Sequence, residues 1–162
     1  MTPEIQIEEL EQRIGYRFSD QAHPLRALTR LAYAREKQLG DDQDMDALAT
    51  LGDAVIDLLV IDNLLQTGIT RKGEITLLKV RRVNMSVLRI IAESLDLAPL
   101  VFWGKGEEAQ QVWLSGRVLA ECCEAVIGAV YLDGGLGAAR PVLLTLGLIS
   151  PKTRDAAAGN GR

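Results

Sequence analysis

The sequence predicts an all-α domain, and three observations carry that prediction. Apolar residues recur at three- and four-residue spacing along most of the chain, capping residues stand at the starts of these segments, and glycines stand at their ends. With 162 residues, 48% hydrophobic and 25% charged, the chain has material for one well-buried core and little for a second domain. A first helix is capped by Thr2, carries Pro3 in its opening turn, and follows Ile5, Ile7, Leu10 and Ile14 to Gly15. Ser19 or Asp20 starts a second, which runs through Leu25, Leu28 and Leu31 to about Gln38 and stops at Gly40. After the loop "GDDQD", an acidic helix spans about 45–66 and ends near Gly68. One further long segment starts at Thr70 or Gly73, passes Leu77, Val80, Val83 and Leu88, and closes in "ESLDLAP". A loop containing "WGKGEEAQQ" leads to a helix from about Ser115 to Asp133, where "LDGG" reads as a stop and turn. A last helix covers about Gly137 to Leu146, and the tail "SPKTRDAAAGNGR" lacks apolar periodicity and is expected to be disordered.

Composition removes several classes of function. No apolar run approaches the ~20 residues of a membrane span, and the acidic N-terminus "MTPEIQIEELEQR" is unlike a signal peptide, so a cytoplasmic protein is expected. Cys122 and Cys123 are adjacent and lack zinc-type partners, which predicts reduced core residues. No Ser-His-Asp or Cys-His arrangement is present, and the single His23 lies in "AHPL" near a helix start. "WGKGEE" could offer backbone N–H groups to a phosphate but is not a P-loop.

Charge is distributed unevenly. The net charge of −4 argues against nucleic-acid binding through bulk charge. Yet Asp41 to Asp62 contains no basic residue, whereas Arg71 to Arg89 holds Arg71, Lys72, Lys79, Arg81, Arg82 and Arg89 against the single acid Glu74. On the acidic helix, Asp46, Asp53 and Asp57 fall within roughly 40° of one another, so they form one stripe, either a wet edge or a site. In "SGRVLAECCEAVIGAVYLDGG", Glu121 and Glu124 share a helical face in an otherwise apolar stretch. Buried carboxylates cost several kcal/mol unless a cation offsets them. A divalent metal would do so, and so would ion pairs with Arg117, Arg81 or Arg82.

In order and spacing, "LEQRIGYRF", "ALTRLAYAREK", "LGDAVIDLLV", "GKGEE" and "LAECCEAVIGAVYLDGG" resemble the ribonuclease III catalytic domain, over about Leu10 to Leu144. The resemblance implies an all-α endonuclease domain that forms a symmetric homodimer and cleaves double-stranded RNA with Mg²⁺, for which Mn²⁺ is a substitute. Asp53 and Glu124 fall on the family's catalytic and metal-binding carboxylates. Glu121 stands where an aspartate is usual, and Asp46 where an outer glutamate is. Ala49 replaces a metal-binding glutamate, Thr50 an aromatic that plugs the partner subunit in many relatives, and Arg30 a common histidine. The compact Mini-III branch resembles this chain in having alanine at that position and an acid four residues after the aspartate, here Asp57. The expected organisation is a catalytic domain over 1–149 and a tail over 150–162, with no double-stranded-RNA-binding domain.

These residues imply metal-assisted hydrolysis. A Mg²⁺ held by Asp53, Glu121 and Glu124, with Asp46 and Asp57 in support, would polarise the phosphoryl oxygen and activate water. Lys72, Lys79, Arg81, Arg82 and Lys105 are the candidates for phosphate contact. Two alternatives stay open: a catalytically impaired RNA-binding or scaffold protein of the same fold, and a helical nucleotide pyrophosphatase. The second would want an EExxE motif, and Glu8 and Glu9 do not sit in one.

Overall fold

A computed structural model describes residues 1–151; of the tail expected to be disordered over 150–162, Ser150 is hydrogen-bonded to Asn63 and the part from 152 onward lies outside the described residues. Eight α-helices are described: α1 Pro3–Ile14, α2 Ala22–Ala27, α3 Leu31–Glu36, α4 Asp46–Gln66, α5 Lys72–Arg82, α6 Met85–Ser94, α7 Lys105–Ala109 and α8 Gly116–Thr145. No strand forms among the described residues, and one parallel bridge joins Thr29 to Phe102.

The core is organised around α4 and α8. Leu48, Ile56, Leu59 and Leu64 on α4 meet Ala120, Cys123, Ile127 and Val130 on α8, and α6 adds Leu88, Ile91 and Ala92. Along α8, Cys122 to Val130 is buried on every side. By length and composition Gly116–Thr145 is apolar enough to cross a membrane, which corrects the reading that no segment is; its central stretch is buried in the core instead.

Two glycines set the distance between these helices. A Cβ on Gly52 would lie 1.7 Å from the backbone oxygen of Glu124, and a Cβ on Gly128 would lie 2.2 Å from that of Leu48. The helices therefore cross backbone against backbone, which only glycine permits.

Three boundaries differ from the sequence reading. The second helix divides into α2 and α3 because Leu28–Arg30 is diverted to Phe102: Phe102 N–H donates to Leu28 O at 2.7 Å and Arg30 N–H to Phe102 O at 3.2 Å. The long segment after Thr70 divides at Val83–Asn84, where the Asn84 side chain accepts from Val87 N–H at 3.0 Å and starts α6 afresh. The "GKGEE" segment is not loop but forms α7.

The "LDGG" turn does more than end a helix. Gly135, at φ 69° and ψ −165°, breaks α8. Two residues earlier, Asp133 accepts from Tyr16 Oη at 2.6 Å and from the N–H groups of Ser19 and Asp20, each at 2.9 Å. Burial opposes the charge on Asp133, but these donors hold its carboxyl below the usual range. Burial and this same contact push the Tyr16 hydroxyl up to about 12.

Candidate functional site

The glycine crossing decides which carboxylates meet. Asp53 follows Gly52, whose missing Cβ lets the backbone of Glu124 approach, and the charge of Asp53 acts on the Glu124 carboxyl. Around them opens a cleft of about 360 Å³ lined by Asp46, Ala49, Thr50, Asp53, Glu121 and Glu124. Four of those six side chains are carboxylates from two helices.

Glu124 is the most perturbed of them. It is 8% exposed. Burial, the charges of Asp53 and Glu121, the contact with Asp53 and the charge of Asp57 push its carboxyl from 4.5 up to about 7. Asp46, at the other end of the cleft, is also raised, first by burial and then by Asp44, with Arg30 acting in the opposite sense. None of the ion pairs among the described residues involves Asp53 or Glu124.

Glu121 behaves differently. Its Oε1 lies 3.3 Å from Arg117 Nε and its Oε2 lies 3.9 Å from Arg30 Nη1, so part of the ion pairing considered from spacing is present, but at Glu121 alone. No three acidic, histidine or cysteine side chains converge into a closed cation cage among the described residues. The donors are nonetheless hard oxygen ligands of the kind Mg²⁺ takes, usually one or two carboxylates completed by substrate phosphate. The Asp53–Glu124 pair, crowded and without an ion-pair partner among the described residues, fits such a group.

Asp57 leaves the cleft. Its Oδ2 is 3.1 Å from Lys79 Nζ, so the third aspartate of the stripe ties α4 to α5. Arg82 Nη1 donates to Asn63 Oδ1 at 2.8 Å. Lys79 and Arg82 are therefore engaged along α4, whereas Lys72, Arg81 and Lys105 are exposed. In the "WGKGEE" segment two backbone donors are already used: Lys105 N–H donates to Glu36 Oε1 at 2.9 Å and Gly104 N–H to Glu107 Oε2 at 3.2 Å. His23 lies 3.9 Å from Asp20, outside the cleft. Cys122 and Cys123 are buried free thiols, each pushed up to about 12 chiefly by burial.

Two features went unread in the sequence. Gly52 and Gly128 carried a signal, since a glycine inside a helix costs about 1 kcal/mol against alanine and points to close packing. The Arg30–Glu107 ion pair, at 2.8 Å, carried none, because its members are 77 positions apart.

An all-helical domain with paired acidic helices at a glycine crossing defines a class, and comparison with known proteins identifies it. Residues 20–148 match the family model described as Ribonuclease-III-like. The chain belongs to the ribonuclease III-like family. Ribonuclease 3 of Syntrophobacter fumaroxidans is 37% identical over 147 residues, which cover 90% of this chain and 61% of that protein. Ribonuclease 3 of Nitratidesulfovibrio vulgaris is 33% identical over 157 residues, covering 92% and 62% respectively. The chain thus spans about three fifths of the length of these relatives. Among solved structures, a nuclease domain of ribonuclease III from Campylobacter jejuni, described for flexibility in a region involved in dimer formation, superposes with a TM-score of 0.78 at 30% identity. It covers 86% of this chain and 94% of that one.

Proposed function

We propose that this chain is the catalytic domain of a cytoplasmic endoribonuclease that hydrolyses phosphodiester bonds of double-stranded RNA with Mg²⁺ and acts as a homodimer. The observation that carries this reading is the crossing of α4 and α8, which buries Glu124 beside Asp53 with no basic partner for either among the described residues. Bound Mg²⁺ would supply polarisation of the phosphoryl group and acidification of an attacking water. Asp53 and Glu124 would be its inner ligands, and Glu121 would join them from the rim. The apolar packing around Glu124 keeps bulk water off this end of the cleft, so ligand charge is poorly screened there. Asp46 extends the acidic surface outward from the pair. Of the candidate phosphate contacts, Lys72, Arg81 and Lys105 are exposed, and Lys79 and Arg82 become available by leaving Asp57 and Asn63.

The homodimer reading rests on uncovered apolar surface. Leu58 and Leu65 on α4 are 52% and 51% exposed, and Leu77 and Val80 on α5 are 51% and 54% exposed. The Campylobacter jejuni nuclease domain is described as having a region involved in dimer formation, which supports a second copy of this chain as the cover.

A second reading, a catalytically impaired RNA-binding or scaffold protein, is favoured by two features. Ala49 lines the cleft without a ligand atom, and Glu121 is drawn aside by arginines. Incubating end-labelled duplex RNA with the purified protein in Mg²⁺, beside an EDTA control and the Asp53→Asn variant, separates the two. Metal-dependent cleavage reduced at least ~100-fold by Asp53→Asn supports the enzyme. Duplex binding with no cleavage under any of these conditions supports the scaffold.

A further inference from the structure

Arg30 stands beside the acidic cleft in an unusually fixed position. Its backbone belongs to the short extended segment bonded to Phe102, so the base of the side chain is anchored. Its side chain is 15% exposed, and its guanidinium lies over Trp103 at 5.8 Å from the ring centroid. Nε and Nη2 both donate to Glu107 Oε1, at 3.0 and 2.8 Å. Glu107 is itself held, because its other oxygen accepts the Gly104 N–H. Burial opposes the charge on Arg30, but Glu107 more than offsets it and the guanidinium stays firmly protonated.

The remaining edge of the guanidinium is the informative part. Nη1 has no ordinary hydrogen-bond acceptor: it faces Met45 Sδ at 3.8 Å and Glu121 Oε2 at 3.9 Å. Arg117, the other cation at Glu121, is 80% exposed, so solvent weakens its pull far more than that of Arg30.

We propose that Arg30 is a positioning residue of the acidic cleft: anchored on Glu107, it holds Glu121 at the rim and lowers the affinity of the cleft for divalent cations until Glu121 is released. This rests on the metal-dependent reading above. Its consequence is a balance between two neighbouring charges. Removing the arginine charge strengthens cation binding at Asp53 and Glu124, whereas removing its counter-charge on Glu107 leaves the guanidinium unopposed and weakens that binding. Acting through the partly exposed rim where Glu121 lies, a unit charge changes the affinity for a divalent ion by about five- to tenfold.

The test is Mn²⁺ binding to the RNA-free protein, followed by the electron paramagnetic resonance of free Mn²⁺. Parent, Arg30→Gln, Arg30→Lys, Glu107→Gln and Asp53→Asn are compared. The expected result is a dissociation constant about fivefold lower for Arg30→Gln and about fivefold higher for Glu107→Gln, with Arg30→Lys within about twofold of the parent. A merely structural ion pair would lower the melting temperature in both Arg30→Gln and Glu107→Gln without moving Mn²⁺ affinity in opposite directions. Binding by Arg30→Gln no tighter than the parent overturns the proposal while Asp53→Asn still abolishes binding, and the metal reading then stands. Parent binding that Asp53→Asn leaves untouched, or no parent binding at all, overturns both. Should Arg30→Gln fail to fold, Glu107→Gln decides alone, and an unchanged or lowered dissociation constant overturns the proposal.

Discussion

Replacing Glu124 by Gln should make the metal-free protein more stable at alkaline pH, against the usual effect of altering a buried polar residue. The folded-state carboxyl titrates near 7, above its ordinary 4.5, because burial and Asp53 disfavour its charge. The folded state therefore holds this proton more tightly than the unfolded chain does, so stability is full below about pH 4.5 and is lost as pH rises through about 7. The shift corresponds to at most about 3 kcal/mol above pH 7. Glutamine is close in shape to the protonated acid and never ionises, so the variant and parent should melt together at about pH 4 in EDTA. At pH 8 the variant should melt higher by up to ~6–12 °C, using ~2–4 °C per kcal/mol for a chain of this size. Calorimetry at the two pH values in EDTA measures both differences. Adding Mg²⁺ at pH 8 should raise the parent and leave the variant largely unmoved. A variant that melts several degrees below the parent at pH 8 without metal would refute the reasoning. It would mean that Glu124 has a stabilising basic partner, whose loss costs about 3–5 kcal/mol.

Other outcomes follow from the same geometry. Gly52→Ala places a methyl group 1.7 Å from the Glu124 backbone oxygen, so the helices must separate; denaturant unfolding should show a loss of ~3 kcal/mol or more. Asn63→Ala removes a buried amide that accepts from Arg82 and Ser150 N–H and donates to Ser150 O at 2.8 Å, and should cost ~1–3 kcal/mol by the same measurement. The exposed pair Lys72→Ala and Arg81→Ala together should leave the melting temperature within ~1 °C and make the salt dependence of duplex RNA binding shallower by roughly one to two in log–log slope. An unchanged slope in a filter-binding titration would remove these residues from the RNA surface. Leu58→Glu should convert the species seen by light scattering at micromolar concentration from dimer to monomer, and a parent that is already monomeric would defeat the dimer reading.

What the sequence determined by itself was local pattern and chemical identity. Apolar periodicity fixes the helical class and the span of α4, because core burial repeats with the helical turn. The placement of Glu121 and Glu124 in an apolar segment was legible in the same way, but whether a metal or an arginine offsets them was left open by the sequence. Tertiary structure decided what those charges meet. Asp53, Asp57 and Asp46 share a stripe in sequence, yet Asp57 pairs with Lys79 from another helix while Asp53 faces Glu124. Breaks within periodic segments were equally hidden, since Leu28–Arg30 leaves the helix for Phe102, some seventy positions away. The Arg30–Glu107–Glu121 chain depends on where α7 and α8 lie beside that same diverted strand of backbone. Helical periodicity reports only which face of a segment is apolar. The distance and angle at which two helices cross come from backbone contact at Gly52 and Gly128, and that contact determines which carboxylates are crowded together and which are neutralised.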